Sequence, residues 1–426
     1  LLWEQKHKEK IMITFDGLTP VYGGVCAAAG FTAGSVRAGI KASSQKDDLA
    51  LIYCARQCSA AAVYTQNIVK GAPITVTQKH LKNGKAQAVI VNSGNANTCN
   101  ANGIEIAELM CALTADCMKI KKEDVIVAST GVIGQQLKAE PFEQFIPVLA
   151  GEINEVGSTD ACKAIMTTDT RIKEFAFEFI LPLENKTCRI GGISKGSGMI
   201  NPDMATLLAF ITTDAAISPS MLQKALSDAN EISYSRVNVD GDTSTNDMAA
   251  IMASGYAGNE LITDENEDYE AFFNALCAIM LNLAKETARD GEGATKLIEC
   301  AVLNAPSEED AALISRSVIS SSLVKAAVFA ADANWGRILC AAGYSGAEFD
   351  PEKISVKIVS ENGSIVVCEN GAGVNHSDDE AHKILLADEI TIIIDLHEED
   401  AELNQSIAWG CDLTYDYVKI NAEYRT

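Results

Sequence analysis

Lys195-Gly196-Ser197-Gly198-Met199-Ile200-Asn201-Pro202-Asp203-Met204-Ala205-Thr206 is a glycine-rich, turn-forming segment that stops at a threonine. Leu207-Leu208-Ala209-Phe210-Ile211-Thr212-Thr213-Asp214 follows at once, an apolar run with the length of a buried strand. Taken locally, this is a loop entering a core strand, with Thr206 as strand filler. It also meets the requirement of an N-terminal nucleophile. Were the Ala205–Thr206 bond cut, Thr206 would carry a hydroxyl and a free α-amine, and the amine can act as base for the weakly nucleophilic hydroxyl. An α-amine titrates near about 7.7–8.0, so it is available as a base around neutral pH.

Strand and helix signals alternate along the chain, which makes the class mixed α/β. Ala88–Asn92 reads as a strand ending in the loop Ser93–Asn97, and Asp124–Ala128 as another ending in Ser129-Thr130-Gly131. Ser218-Pro219 is an N-cap followed by proline in the first helical turn. Phe273, Leu276, Met280 and Leu283 recur at helical spacing between Glu267 and Arg289, and that helix stops at Asp290-Gly291. Ser307-Glu308-Glu309-Asp310 resembles a capping box. Glu361-Asn362-Gly363 reads as a hairpin turn between Val356–Val359 and Ser364–Cys368, and Glu389–Leu396 as a β-branched strand. No repeat or long linker divides the 426 residues, which suffice for two or more domains.

Composition excludes several classes. A net charge of −24 argues against nucleic acid and anionic membrane surfaces, which call for basic patches. No uninterrupted apolar segment spans a bilayer, and residues 1–10 are charged and lack the core of a signal peptide. The 13 cysteines include no C-x-x-C; most sit in apolar patterns, as Cys277 and Cys340 do, and read as buried reduced thiols of a cytoplasmic protein. His376 and His382 form no recognisable ligand pattern, so no metal site is expected.

Acyl transfer needs a nucleophile, a base, donors for the developing oxyanion and groups that hold the substrate. Thr206 would supply the first two. Ser129-Thr130-Gly131 is the best candidate for the donors, although strand-end turns often look like it. Lys195 reads by itself as a solvated loop lysine, Glu292 as a surface turn acid, and Asn421 and Thr426 as part of a frayed end. Asn238–Asp247 alternates acids and hydroxyls; its glycine position and missing bidentate Glu fit a calcium loop poorly, and it reads as a polar loop near the site.

Lys195–Asp214 resembles the cleavage region of the ornithine acetyltransferase family, also called bifunctional glutamate N-acetyltransferases. Asp203 stands where Asn is more usual and Leu207 where Met is common, and neither removes a reacting group. Val239–Asp247 resembles that family's V-D-G-D-T-S-T-N-D block. Asn334-Trp335-Gly336-Arg337-Ile338 with Gly343-Tyr344-Ser345-Gly346 resembles two more blocks, with Ala333 where Pro is usual, and Asn92–Asn97 also matches. The resemblance extends from roughly Gly23 to Thr426.

The resemblance implies a layered αββα sandwich like that of the β-aminopeptidases, with a C-terminal α/β subdomain from about 302 to 426. It implies self-cleavage at Ala205/Thr206 into an α chain, 1–205, and a β chain, 206–426, assembled as a heterotetramer of two of each. It places the oxyanion hole on Thr130 and Gly131, and substrate contacts on Thr168, Lys195, Thr206, Glu292, Asn421 and Thr426; Thr168 is the loosest, with Thr167 beside it. The implied reaction moves acetyl from N-acetylornithine to glutamate through acetyl-Thr206, in arginine biosynthesis. No metal or diffusible cofactor is required, and acetyl-CoA is a further candidate donor. Two alternatives stay open: an aminopeptidase-like hydrolase on the same scaffold, and a non-catalytic amino-acid-binding protein.

Overall fold

Period-2 alternation along long apolar strands builds the first half of the molecule. The computed structural model describes residues 13, 15–41, 45–201, 207–398 and 404–423. Its larger sheet runs in the order Thr19–Pro20, Lys173–Leu181, Lys186–Lys195, Leu208–Thr213, Met248–Ala253, Leu49–Tyr64, Lys85–Asn95, Val125–Val132, with Phe31–Val36 paired to Leu49–Tyr64. The strand Leu49–Tyr64 belongs to both halves of this sheet: its first part pairs Lys85–Asn95, its last part pairs Met248–Ala253, and the register shifts between Tyr53 and Cys58. Residues 55–57 are exposed at that irregularity, where an added residue bends a strand and increases its twist.

The two halves stack face to face. Ile52, Val89, Val91, Ile126 and Ala128 share one buried cluster with Ile193, Phe210, Met248, Ala250 and Met252. The alternate residues of the same strands point outward and are covered by helices. Leu49, Leu51, Ile90, Val125 and Val127 pack on Gly103–Met118 and Glu140–Glu152. Ile190, Ala209, Ile211, Ala249 and Ile251 pack on Pro219–Ile232 and Glu267–Arg289. This is the expected αββα sandwich, and burial of both strand faces explains why Leu207–Ile211 reads as an unbroken apolar run.

A second sheet, ordered Ala372–Gly373, Gly363–Glu369, Ser355–Ser360, Glu389–Asp395, Leu297–Leu303, Ser406–Cys411, Val237–Asn238, carries its own core with helices Glu308–Ser320, Ser322–Phe329, Trp335–Gly343 and Asp378–Leu385. This is a mostly C-terminal α/β layer that also draws Val237–Asn238 from before the long helix Glu267–Arg289. Ser218 and Ser307 cap their helices as their sequences predict, accepting from the N–H of Met221 and Asp310, and residues 361–362 turn the predicted hairpin. The cysteine expectation needs one correction. All 13 are free thiols and Cys277 is buried, but Cys340 is exposed, because its helix Trp335–Gly343 buries Ile338, Ala341 and Ala342 instead. No single described helix is long and apolar enough to cross a membrane.

Candidate active site

Three adjacent strands end together at one edge of the sandwich. Lys195 pairs with Leu208, and Leu208 with Met248. Leu207 donates its N–H to Asp247 Oδ1 at 3.1 Å and receives the N–H of Met248 at 3.1 Å. Ala205, Thr206 and Thr426 lie outside the described residues, and Leu207 is the described residue next to the threonine.

Lys195 is no loop lysine: it closes the strand Lys186–Lys195 and is 3% exposed. Its ammonium donates to Thr130 Oγ1 at 3.3 Å, joining residues that belong to opposite halves of the sandwich. Burial pulls the Lys195 ammonium below its ordinary range; Asp169, Asp247 and Glu292 pull the other way, and Lys173 adds to the lowering. Such a lysine gains from a further carboxylate brought in by a bound molecule.

Thr130 and Gly131 lie within the strand Val125–Val132, opposite Ser93 and Gly94, where the register shifts. Gly131 has φ +127°, and a Cβ there would meet the carbonyl carbon of Gly94 at 2.3 Å. Only glycine satisfies both conditions. Asn246 braces this turn from the polar loop, donating to the carbonyls of Ser129 at 3.0 Å and Ala96 at 2.6 Å and accepting from Thr98 Oγ1 at 2.6 Å. The variant Gly131→Ala must displace this turn, and turnover should fall with it. Steady-state kinetics beside a thermal melt will separate this from simple unfolding.

The acidic half of the site comes from the C-terminal end of the long helix. Glu292 is 8% exposed, not a surface acid. Its N–H binds the Ser197 carbonyl at 2.9 Å, and its carboxylate lies where a Cβ on Gly198 would stand, within 2.4–2.6 Å. Asn421, on the helix Tyr415–Ala422, donates to Glu292 Oε2 at 2.8 Å, so the apparent frayed end reaches the site. Thr168 sits in the turn before the strand Lys173–Leu181; its neighbour Asp169 fixes that turn by accepting the Thr167 N–H at 3.0 Å and the Gly196 N–H at 2.7 Å.

Sequence reasoning missed the scaffold beneath these groups. Lys173, 0% exposed, bridges Asp169 at 2.8 Å and Asp290 at 2.6 Å. Asp290 also holds the Thr170 and Arg171 N–H groups, and its carbonyl accepts from Ser197 Oγ at 2.6 Å. Burial opposes charge on Asp169, yet Lys195 and Lys173 outweigh it and hold that carboxyl well below the carboxylate range. Lys41 is a further neighbour: its ammonium donates to the Met166 carbonyl at 2.6 Å, and burial pulls it down to about 8, with Asp48 opposing and Lys195 adding. Little in the sequence around Lys41 or Lys173 marks them, since the Met166 carbonyl and Asp290 that they meet lie 125 and 117 positions away.

Fold and site define a layered α/β protein whose strand ends carry a buried site of mixed charge, suited to a small molecule with an ammonium and a carboxylate. A family model described as the ArgJ family matches residues 32–426, and the chain belongs to that family. Arginine biosynthesis bifunctional protein ArgJ of Caldanaerobacter subterraneus is 46% identical over 93% of this chain and 97% of its own. Arginine biosynthesis bifunctional protein ArgJ 1 of Clostridium acetobutylicum is 47% identical over 93% and 96%. A crystal structure of arginine biosynthesis bifunctional protein ArgJ from Bacillus halodurans is 47% identical, with a TM-score of 0.47, and covers 50% of this chain and 97% of that one.

Proposed function

We propose that this protein is a self-processing acetyltransferase of arginine biosynthesis that passes acetyl from N-acetylornithine to glutamate through Thr206. In maturation the Thr206 hydroxyl attacks the Ala205 carbonyl, the peptide C–N bond breaks, and the nitrogen leaves as the α-amine. Water then hydrolyses the ester, giving the Ala205 carboxylate and returning the hydroxyl. In turnover the same hydroxyl, deprotonated by that amine, takes the acetyl group; ornithine leaves with the proton, and glutamate attacks the acetyl ester in its place. Thr130 and Gly131 hold the oxyanion of each tetrahedral intermediate. Lys195 takes the substrate carboxylate and Glu292, held by Asn421, takes an ammonium, with Thr168 and Thr426 completing the contacts. The two chains, 1–205 and 206–426, assemble as two of each. Acetyl-CoA would serve as a second donor, in keeping with the bifunctional names of the relatives.

The observation that carries this reading is the buried Lys195–Thr130 contact beside the start of the strand Leu208–Thr213. Denatured intact mass of purified protein tests it. Two fragments, one beginning at Thr206, followed by acetyl transfer to glutamate and not to water, support the reading; a single uncut chain without transfer overturns it. In the same assay Glu292→Gln should keep the Asn421 hydrogen bond and the fold while losing the charge. A charged hydrogen bond contributes about 1.5–3 kcal/mol, so kcat/KM should fall about 10- to 100-fold. Unchanged kinetics would remove Glu292 from the site.

A further inference from the structure

Lys41 borders the candidate site, and the reaction proposed above gives it no task. Its backbone is fixed by the fully buried Asp48, which accepts the Lys41 N–H at 2.9 Å and the Ala38 N–H at 2.7 Å. Its side chain crosses Gly94, where a Cβ would stand 2.7 Å from Lys41 Cγ. Gly94 in turn pairs with Gly131 on the neighbouring strand. The Lys41 ammonium donates to the Met166 carbonyl at 2.6 Å, and Met166 leads directly into Thr167-Thr168. Lys41 therefore runs from the Gly94–Gly131 pair to the turn of Thr168. An ammonium has three hydrogens to donate. Met166 takes one, and no carboxylate among the described residues forms an ion pair with Lys41. Burial weakens its charge, Asp48 opposes that and Lys195 adds to it, so a bound anion would be favoured there.

The two amino acids that exchange in the proposed reaction differ at the end of the side chain. Both carry an α-carboxylate, but ornithine ends in an ammonium and glutamate in a second carboxylate. Glu292 suits the first and repels the second. A site that takes both in turn needs a cation besides Lys195 for the second carboxylate. Lys173 is committed to Asp169 and Asp290, whereas Lys41 has donors to spare. We propose that Lys41 is a specificity-determining residue for the acyl acceptor, binding the side-chain carboxylate of glutamate while Lys195 holds the α-carboxylate. The inference rests on the acetyl-transfer reading above. Ornithine offers Lys41 no anion at its side-chain end, so the contact belongs to the half of the reaction in which glutamate enters. It makes the site two-sided, with Glu292 facing the side chain that leaves and Lys41 the one that arrives.

The test is Lys41→Met beside the wild type, with Lys41→Arg as the variant that keeps the charge. Ping-pong kinetics give each substrate its own kcat/KM. In Lys41→Met the value for glutamate should fall about 10- to 100-fold relative to the value for N-acetylornithine, the scale of one lost charged hydrogen bond. Glutamine supplies the second readout, since it has the shape of glutamate without the charge. The wild type should prefer glutamate to glutamine, Lys41→Met should lose at least about tenfold of that preference, and Lys41→Arg should restore part of it. A merely structural residue would lower both half-reactions together and leave the preference unmoved. That result, or a wild type that takes glutamate and glutamine equally well, overturns the inference and leaves the transfer reading intact. A wild type that transfers acetyl to no amino acid overturns the reading and the inference with it. Should Lys41→Met fail to fold, a crystal structure of the wild type with glutamate decides. A side-chain carboxylate within hydrogen-bond distance of Lys41 Nζ supports the role, and one beyond about 4 Å removes it.

Discussion

Thr206→Ala should leave the chain uncut and abolish acetyl transfer. In the proposed mechanism both steps use one oxygen, so removing it cannot spare either. Loss of a catalytic nucleophile costs on the order of 10⁶-fold in turnover even where the remaining site is intact. Here the loss should be larger in practice, since an uncut chain has no α-amine to serve as base. The fold should survive. The strand Leu208–Thr213 is held by two neighbours, Lys186–Lys195 and Met248–Ala253, and Leu207 is anchored by Asp247 and Met248. Intact mass and a melting curve on the same sample check both halves of the expectation. Thr206→Ser supplies the contrast, because it retains an attacking hydroxyl and should still yield a fragment starting at residue 206. A Thr206→Ala chain that matures and transfers acetyl overturns the mechanism.

The elements were legible where the signal was local. The Ser218 and Ser307 caps, the helix Glu267–Arg289 and the hairpin at residues 361–362 need only a few neighbouring residues to declare themselves. The doubling of the larger sheet was not legible. It depends on one long strand, Leu49–Tyr64, serving two sets of partners across an irregularity at residues 55–57, and exposed residues in an apolar run read equally well as a turn. Cys340 failed for a related reason: its apolar neighbours signalled burial but not which face of the helix Trp335–Gly343 the second core covers.

The site divides in the same way. Lys195, Glu292 and Asn421 look solvated in isolation because what buries them is distant in the chain: Thr130 is 65 positions from Lys195, and Asn421 is 129 from Glu292. Motif resemblance reached those residues. It did not reach Lys173, Asp169 and Asp290, which fix the loops carrying Gly196, Ser197 and Glu292, because a buried ion cluster whose Lys173 and Asp290 lie 117 positions apart leaves no local pattern.

That cluster is where a substitution away from the reacting atoms should cost most. Lys173→Met keeps volume and removes the ammonium, leaving two buried carboxylates, each less than 6% exposed, without their shared partner. Breaking a buried pair in this way typically costs about 3–5 kcal/mol. The pH dependence gives the expectation its sign. In the wild type the Asp169 carboxyl is held below its unfolded value, so its contribution is present above about pH 3.9 and is lost as pH falls through the folded value. In the variant Asp169 keeps Lys195 but loses Lys173, so burial pulls its carboxyl back up toward the ordinary range. The stability it contributes above about pH 3.9 is then smaller than in the wild type. The gap between wild type and variant should therefore be widest above about pH 4 and should narrow as pH falls below it. Denaturant midpoints measured across that range check it; a gap that is constant or grows on acidification would show that Lys173 acts through packing alone. Where the variant still folds, KM should rise more than kcat falls, since the groups released are the Gly196 and Thr167 N–H bonds to Asp169 and the turn around Thr168, which hold the loops proposed to bind substrate and not the proposed nucleophile.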